Sequence, residues 1–166
     1  EEPNQADAIR ALAKLYAEES QWSELLDILR RQLEIETAAS DRLALHYRIG
    51  QVHDERQSEF DDAIEAYREA LAIDPAHEPS IRALLRIGEQ AEQRSRVEEI
   101  LEPTLREHSR WDDLATLLSR GVSSLTDPLD RQVRLLRLAE IHERGREDLP
   151  AAFDALCEAL LVDADD

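Results

Sequence analysis

Two histidines at matching repeat positions open highly charged strings, His53 in HDERQ and His142 in HERGR. Neither string has a second His four residues on, the spacing that puts two ring nitrogens on one helix face around zinc. No Gly-rich phosphate loop and no Gly-x-Ser-x-Gly elbow occurs anywhere in the chain. The acidic pairs Asp61-Asp62 and Asp112-Asp113 lack the alternating oxygen ligands and central Gly of a calcium loop. They read instead as first-turn carboxylates that offset the positive end of a helix dipole. Cys157 is the single cysteine, so neither an intrachain disulfide nor a cysteine-based metal site can form. No cation stands beside it in sequence, and an inert, half-buried thiol is expected. The expectation is a chain with no catalytic residue, no metal ligand and no cofactor, and therefore not an enzyme. His53, His142, Trp22 and Trp111 are read as packing residues.

The elements that hold these side chains are all expected to be helices. The composition combines 42% hydrophobic and 35% charged residues with only 4 Gly, a balance rich in good helix formers. Apolar residues recur at intervals of three and four, with no strand-like alternation. Nine helices are predicted, at 5–19, 21–37, 41–57, 60–73, 78–91, 94–108, 110–125, 129–146 and 149–163. Ser20, Ser40 and Ser109 are candidate N-caps, and Asp127 followed by Pro128 suits an N-cap and first helical position. Asp148 and Pro150 frame the last helix in the same way. Pro103 falls inside the sixth helix, where the lost amide donor predicts a bend.

The sequence also repeats itself. A slide of 89 residues, with no gap, lays Trp22 on Trp111, His53 on His142, Ala63 on Ala152, Ala70 on Ala159 and Leu71 on Leu160. About one overlapping position in five is identical. A slide of 72 lays ALAKLYAEESQWSELLDIL on ALLRIGEQAEQRSRVEEIL. Similar helical hairpins joined by short connections must fold back on their neighbours, and several of them stack into a solenoid in which each unit touches only the next.

From His46 to Pro75 the chain resembles the tetratricopeptide repeat (TPR) family. Ile49-Gly50 and His53 stand on the first helix, and Ala63, Tyr67, Ala70 and Asp74-Pro75 on the second. Small residues are needed at Ala63 and Ala70, where two helix backbones come close, while Tyr67 fills the space between hairpins. The copy 89 residues on, with Ala139, His142, Ala152, Leu156 and Ala159, is degenerate. The resemblance implies an all-α fold of antiparallel hairpins stacked as a right-handed TPR-like solenoid. Residues 1–166 are read as a single superhelical domain with hairpins at 5–37, 41–73, 78–108 and 110–146 and a final helix at 149–163. It also implies a concave groove lined by first helices. The positions projected there are Arg10, Lys14, Tyr47, Arg48, Gln51, Arg82 and Arg86. Arg forks recognise carboxylates, so a groove that holds an acidic peptide or protein segment is expected. The family's clamp for the C-terminal carboxylate of heat-shock chaperones needs two Asn in the groove, and the only Asn here is Asn4.

Charge narrows the partners further. With 38 acidic against 20 basic side chains, the formal charge is -18, which repels nucleic acid and anionic lipid. No apolar run reaches the roughly 18 residues of a membrane span. The expected partner is a protein or peptide, with no nucleic acid and no membrane insertion, and with self-association as the alternative. All the basic residues except Lys14 are Arg, a coding bias that suggests a bacterial source. The absence of Met suggests a piece of a longer chain, and the absence of a targeting signal favours the cytoplasm.

Overall fold

The structure is a computed structural model that describes residues 3–122 and 125–164. Among these residues the regular structure is helical: α1 (Pro3–Glu18), α2 (Trp22–Ile35), α3 (Ala39–Val52), α4 (Phe60–Ile73), α5 (Glu78–Ile87), α6 (Ala91–Glu107), α7 (Trp111–Ser119), α8 (Pro128–Glu140) and α9 (Leu149–Ala164). These match the nine helices read from periodicity, with ends shifted by a few residues. The chain divides into two compact units, Glu1–Leu84 and Leu85–Asp166.

In the first unit α1 packs on α2, α2 on α3, and α3 along α4. Leu25, Leu26, Leu29, Leu45, Ile49 and Val52 form its core with Ala13, backed by Tyr16 and Trp22. Each such burial contributes about 1.5–3 kcal/mol for a large aliphatic side chain. Ala63 and Ala70 are completely buried on α4, as their small size required. Opposite them, a Cβ on Gly50 would lie 2.5 Å from Cε1 of the buried Tyr67 ring. The glycine is thus dictated by close approach of α3 and α4.

The second unit repeats this arrangement. α6 packs on α7, α7 on α8, and α8 along α9. Leu101, Leu105, Leu114 and Leu118 are fully buried, and Ala152, Ala155 and Ala159 form the buried stripe of α9. The slide of 89 residues therefore superposes α1–α4 on α6–α9. Residues 149–163, read from sequence as a helix after a 110–146 hairpin, belong to a pair with α8, because the alanine stripe of α9 lets those two backbones approach most closely.

Junctions differ from the sequence reading in one consistent way. Ser20 and Ser109 do not cap the following helices; both take left-handed backbone, at φ 57° and 54°, and end the preceding ones. Behind Ser20, the amide of Gln21 donates to the Tyr16 carbonyl at 2.9 Å, and behind Ser109 the amide of Arg110 donates to Leu105 at 2.8 Å. This closing bond satisfies a carbonyl that the helix end leaves unpaired. Ser40 lies inside α3, and the Glu36 carboxylate instead accepts from the amides of Thr37 and Ala38, at 3.0 and 3.1 Å. Asp127 caps α8 as expected, accepting from Leu129 and Asp130 with Pro128 next in line. Asp148 likewise accepts from Ala151 at 3.1 Å. α6 runs on through Pro103, which is exposed. α7 stops at Ser119, earlier than predicted, because Arg120 turns extended and its guanidinium binds the Leu85 carbonyl at 2.6 Å.

Two π turns were not foreseen. α3 and α8 each end in one, His53–Gln57 and Ile141–Gly145. Left-handed residues, Ser58 and Glu147, terminate both, and the closing bonds run from Glu59 to the His53 carbonyl and from Asp148 to that of His142. The first turn is HDERQ itself, and the second, IHERG, begins one residue before His142, so the two turns fall at nearly the same place in the repeat.

Candidate binding cleft

α1, α2 and α3 leave a cleft of about 330 Å³ in the first unit, with Arg10 and Arg48 at its rim, Ala13, Leu29 and Leu45 in its floor, and Gln32, Glu36 and Asp41 on its wall. Helical spacing explains the arrangement. Arg10 stands three residues before buried Ala13, and Arg48 three after buried Leu45, so each cation sits at the edge of its own apolar stripe. Arg42 steadies the wall by donating to the carbonyls of Leu33 and Glu36, at 3.2 and 3.3 Å. Beside it lies a second cleft of about 290 Å³, lined by Arg48, Gln51, Trp22, Glu55 and Arg56. The Arg56 guanidinium carbon lies 5.1 Å from the centre of the Trp22 ring, a cation–π contact.

Of the seven projected groove residues, Arg10, Arg48 and Gln51 border these two clefts. Lys14 is exposed and pairs with Glu18 at 3.8 Å, and Arg82 donates to Glu78 at 2.7 Å. Both are helical i,i+4 pairs of small energetic value. Tyr47 is committed to packing, its ring 5.7 Å from that of Tyr67 and 5.2 Å edge-on from that of His77. Arg86 is exposed on α5; Arg82 falls in the first unit and Arg86 in the second.

His53 is buried, with Nδ1 2.7 Å from the Glu59 carboxylate and Nε2 3.4 Å from the Arg30 guanidinium. Among the described residues His53, Glu59 and Asp62 could bring ligand atoms within 4.8 Å of one another. The Arg30 cation at the other ring nitrogen opposes a metal there. Tyr67 donates to buried Asp54 at 3.3 Å. Burial first, and the neighbouring Asp54 charge second, push the Tyr67 hydroxyl well above its usual range, so it stays neutral. His142 is half-buried beside Arg146, 3.0 Å from it; burial chiefly, and then that cation, hold its pKa below the usual value.

Sequence reading missed the surroundings of the two tryptophans. In the second unit a cleft of about 510 Å³ is lined by Trp111, Asp112, Asp113, Gly145 and Arg146. Arg146 donates to Asp112 at 2.7 Å, and Arg110 pairs with Asp113 at 2.6 Å. A Cβ on Gly145 would sit 2.6 Å from the Trp111 ring. In each unit, then, the Trp at the start of the second helix meets the π turn that ends the third. The 89-residue match of Trp22 with Trp111 and of His53 with His142 was the signal; that the two features meet is decided by packing.

A family model described as tetratricopeptide repeat matches residues 8–43, which cover most of α1, all of α2 and the opening of α3. The matched stretch differs from the His46–Pro75 unit in which the resemblance was read. No curated protein matches the chain. Among the described residues no helix is long and apolar enough to cross a membrane. The chain is all-α, carries a tetratricopeptide repeat match on its first hairpin, and is consistent with a TPR-like helical-repeat family.

Proposed function

We propose that this chain is a non-catalytic interaction scaffold whose first unit holds a carboxylate-bearing peptide or protein segment in the cleft between α1, α2 and α3. Tetratricopeptide repeats in general mediate protein–protein contacts, which supports the class of function. The observation that carries the site is the placement of Arg10 and Arg48 at the rim of one cleft. Glu36 in the same wall is engaged by the Thr37 and Ala38 amides, and Asp41 lies in the first turn of α3, where the helix dipole offsets its charge. An acidic segment would be recognised by Arg forks above an aliphatic floor, with no covalent step.

The experiment is a titration of a labelled Glu/Asp-rich peptide into the wild type and into the double variant Arg10→Glu, Arg48→Glu. Both residues are exposed, so the fold tolerates the change. Binding that weakens in the variant and with added salt supports the cleft; equal affinity in the two proteins overturns it. The pair Arg82→Glu, Arg86→Glu tests whether the α5 cations also take part.

A second reading, a structural element that self-associates or stacks on other repeats, is favoured by large apolar side chains exposed on α1 (Leu12, Leu15) and α9 (Phe153, Leu160). Concentration-dependent mass in light scattering supports self-association.

A further inference from the structure

The two clefts of the first unit are successive stretches of one furrow, and Arg48 borders both. On α3 the lining runs from Leu45 through Arg48 to Val52, and on α2 from Leu29 through Leu25 to Trp22. These are the steps of three and four that keep side chains on one helix face. Each run spans two turns of helix, about 10 Å at 1.5 Å per residue. A segment lying along the furrow covers that distance in about three extended residues at about 3.3 Å each.

The two stretches differ in chemistry. The first has Arg10 and Arg48 at its rim, placed for a carboxylate. In the second, buried Leu25 and Val52 form an aliphatic floor, and small Ala17 leaves room on α1. The half-buried Trp22 ring stands beside this floor with the Arg56 guanidinium 5.1 Å from its centre. The cation is thus turned on the ring, and Glu55 lines the same cleft, so a second carboxylate is poorly served there. A flat apolar side chain is well served, by the aliphatic floor, by the edge or face of Trp22 and by the plane of the guanidinium. Packing of the tryptophan on its π turn does not need this cation: 89 residues on, Gly145 stands at the position of Arg56, against the Trp111 ring.

Resting on the reading of the Arg10–Arg48 cleft as a carboxylate site and going one step beyond it, we infer that the Trp22–Arg56 cleft is a second subsite for the same segment. It takes an aromatic side chain about three residues from the bound carboxylate. Arg10 and Arg48 then select for charge, and Trp22 and Arg56 for the flanking residue.

The test uses unlabelled Gly/Ser peptides carrying a Glu-Glu pair, with Phe about three residues before it, about three after it, or replaced by Ser. Each is titrated into the whole chain by isothermal titration calorimetry. One Phe peptide is expected to bind about tenfold tighter than the Ser peptide, and Trp22→Ala to abolish that gain while leaving the Ser peptide within about twofold of its wild-type affinity. Trp22 packs against the core, so circular dichroism checks that the variant folds; if it does not, Ala17→Leu, which fills the cleft from α1, removes the same gain. Arg10→Glu weakens all the peptides alike, which separates the two subsites. Equal binding with and without Phe, or a gain that survives the Trp22 and Ala17 substitutions, overturns the second subsite and leaves the Arg10–Arg48 cleft standing. An equal gain from Glu in place of Phe means that the cleft takes a second carboxylate and overturns the aromatic assignment. If no peptide binds, the Arg10–Arg48 reading itself falls, and the subsite with it.

Discussion

Replacing Leu71 and Leu160 by Ala, one at a time, makes the same chemical change at the same repeat position in two environments. Leu71 is 4% exposed and Leu160 70%. At Leu71 the truncation loses the transfer energy of the removed methyl groups and leaves a cavity beneath α4, for about 2–5 kcal/mol in total. At Leu160 less than a third of the side chain is sheltered, so the loss is a similar fraction of a transfer energy of about 2 kcal/mol, roughly 0.6 kcal/mol, with no cavity. The slightly better helix propensity of Ala lowers this figure further. Urea unfolding followed by far-UV circular dichroism measures both. Trp22 and Trp111 lie one in each unit, so fluorescence of the matching Trp→Phe backgrounds assigns each loss to its own unit. In thermal unfolding, about 3 kcal/mol at Leu71 corresponds to a fall of about 6–12 °C, against about 1–3 °C at Leu160. Equal destabilisation at the two positions, or a larger loss at Leu160, would refute the view that the α8–α9 face is uncovered in the isolated chain.

Other outcomes follow from single contacts. Gly145→Ala forces a Cβ into the Trp111 ring and is expected to cost about 1–3 kcal/mol, read as a lower urea midpoint and a shift in Trp111 emission. Arg134 is largely buried, donates to the Leu118 carbonyl at 2.7 Å and pairs with Glu98. Arg134→Ala strands that carboxylate and should cost about 3 kcal/mol or more, whereas Arg137→Ala, in a more exposed pair with Glu102, should cost under about 1 kcal/mol. For His46 and His142, burial chiefly lowers the pKa below the ordinary 6.5. The unfolded chain then takes up protons first as pH falls, so their contribution is complete above about pH 6.5 and declines below it. The double variant His46→Gln, His142→Gln should show a smaller drop in urea midpoint between about pH 7.5 and 5.5 than the wild type; an unchanged drop would contradict that reading.

Helix positions were legible because amphipathic periodicity is local: a stripe at intervals of three and four needs no knowledge of its partner. The Asp127-Pro128 start was legible for the same reason, since a cap and its amides lie within one turn. The serines were misassigned because Ser suits an N-cap by type, while the left-handed backbone at Ser20 and Ser109 is set by how one helix must end for the next to turn back. In the candidate site, Arg10, Arg48 and Gln51 were read from repeat register, but their meeting with Trp22 and Arg56 needed the packing of α1 to α3.

By itself, then, the sequence determined an all-helical chain and an internal repeat of 89 residues, because propensity, capping and self-similarity are properties of short stretches. The tertiary structure decided that α6 pairs with α7 and α8 with α9, that π turns seat the two tryptophans, and that Leu71 is buried while Leu160 meets water. Identical residues at identical repeat positions carry the same local preferences, and only the presence or absence of a packed neighbour separates their fates.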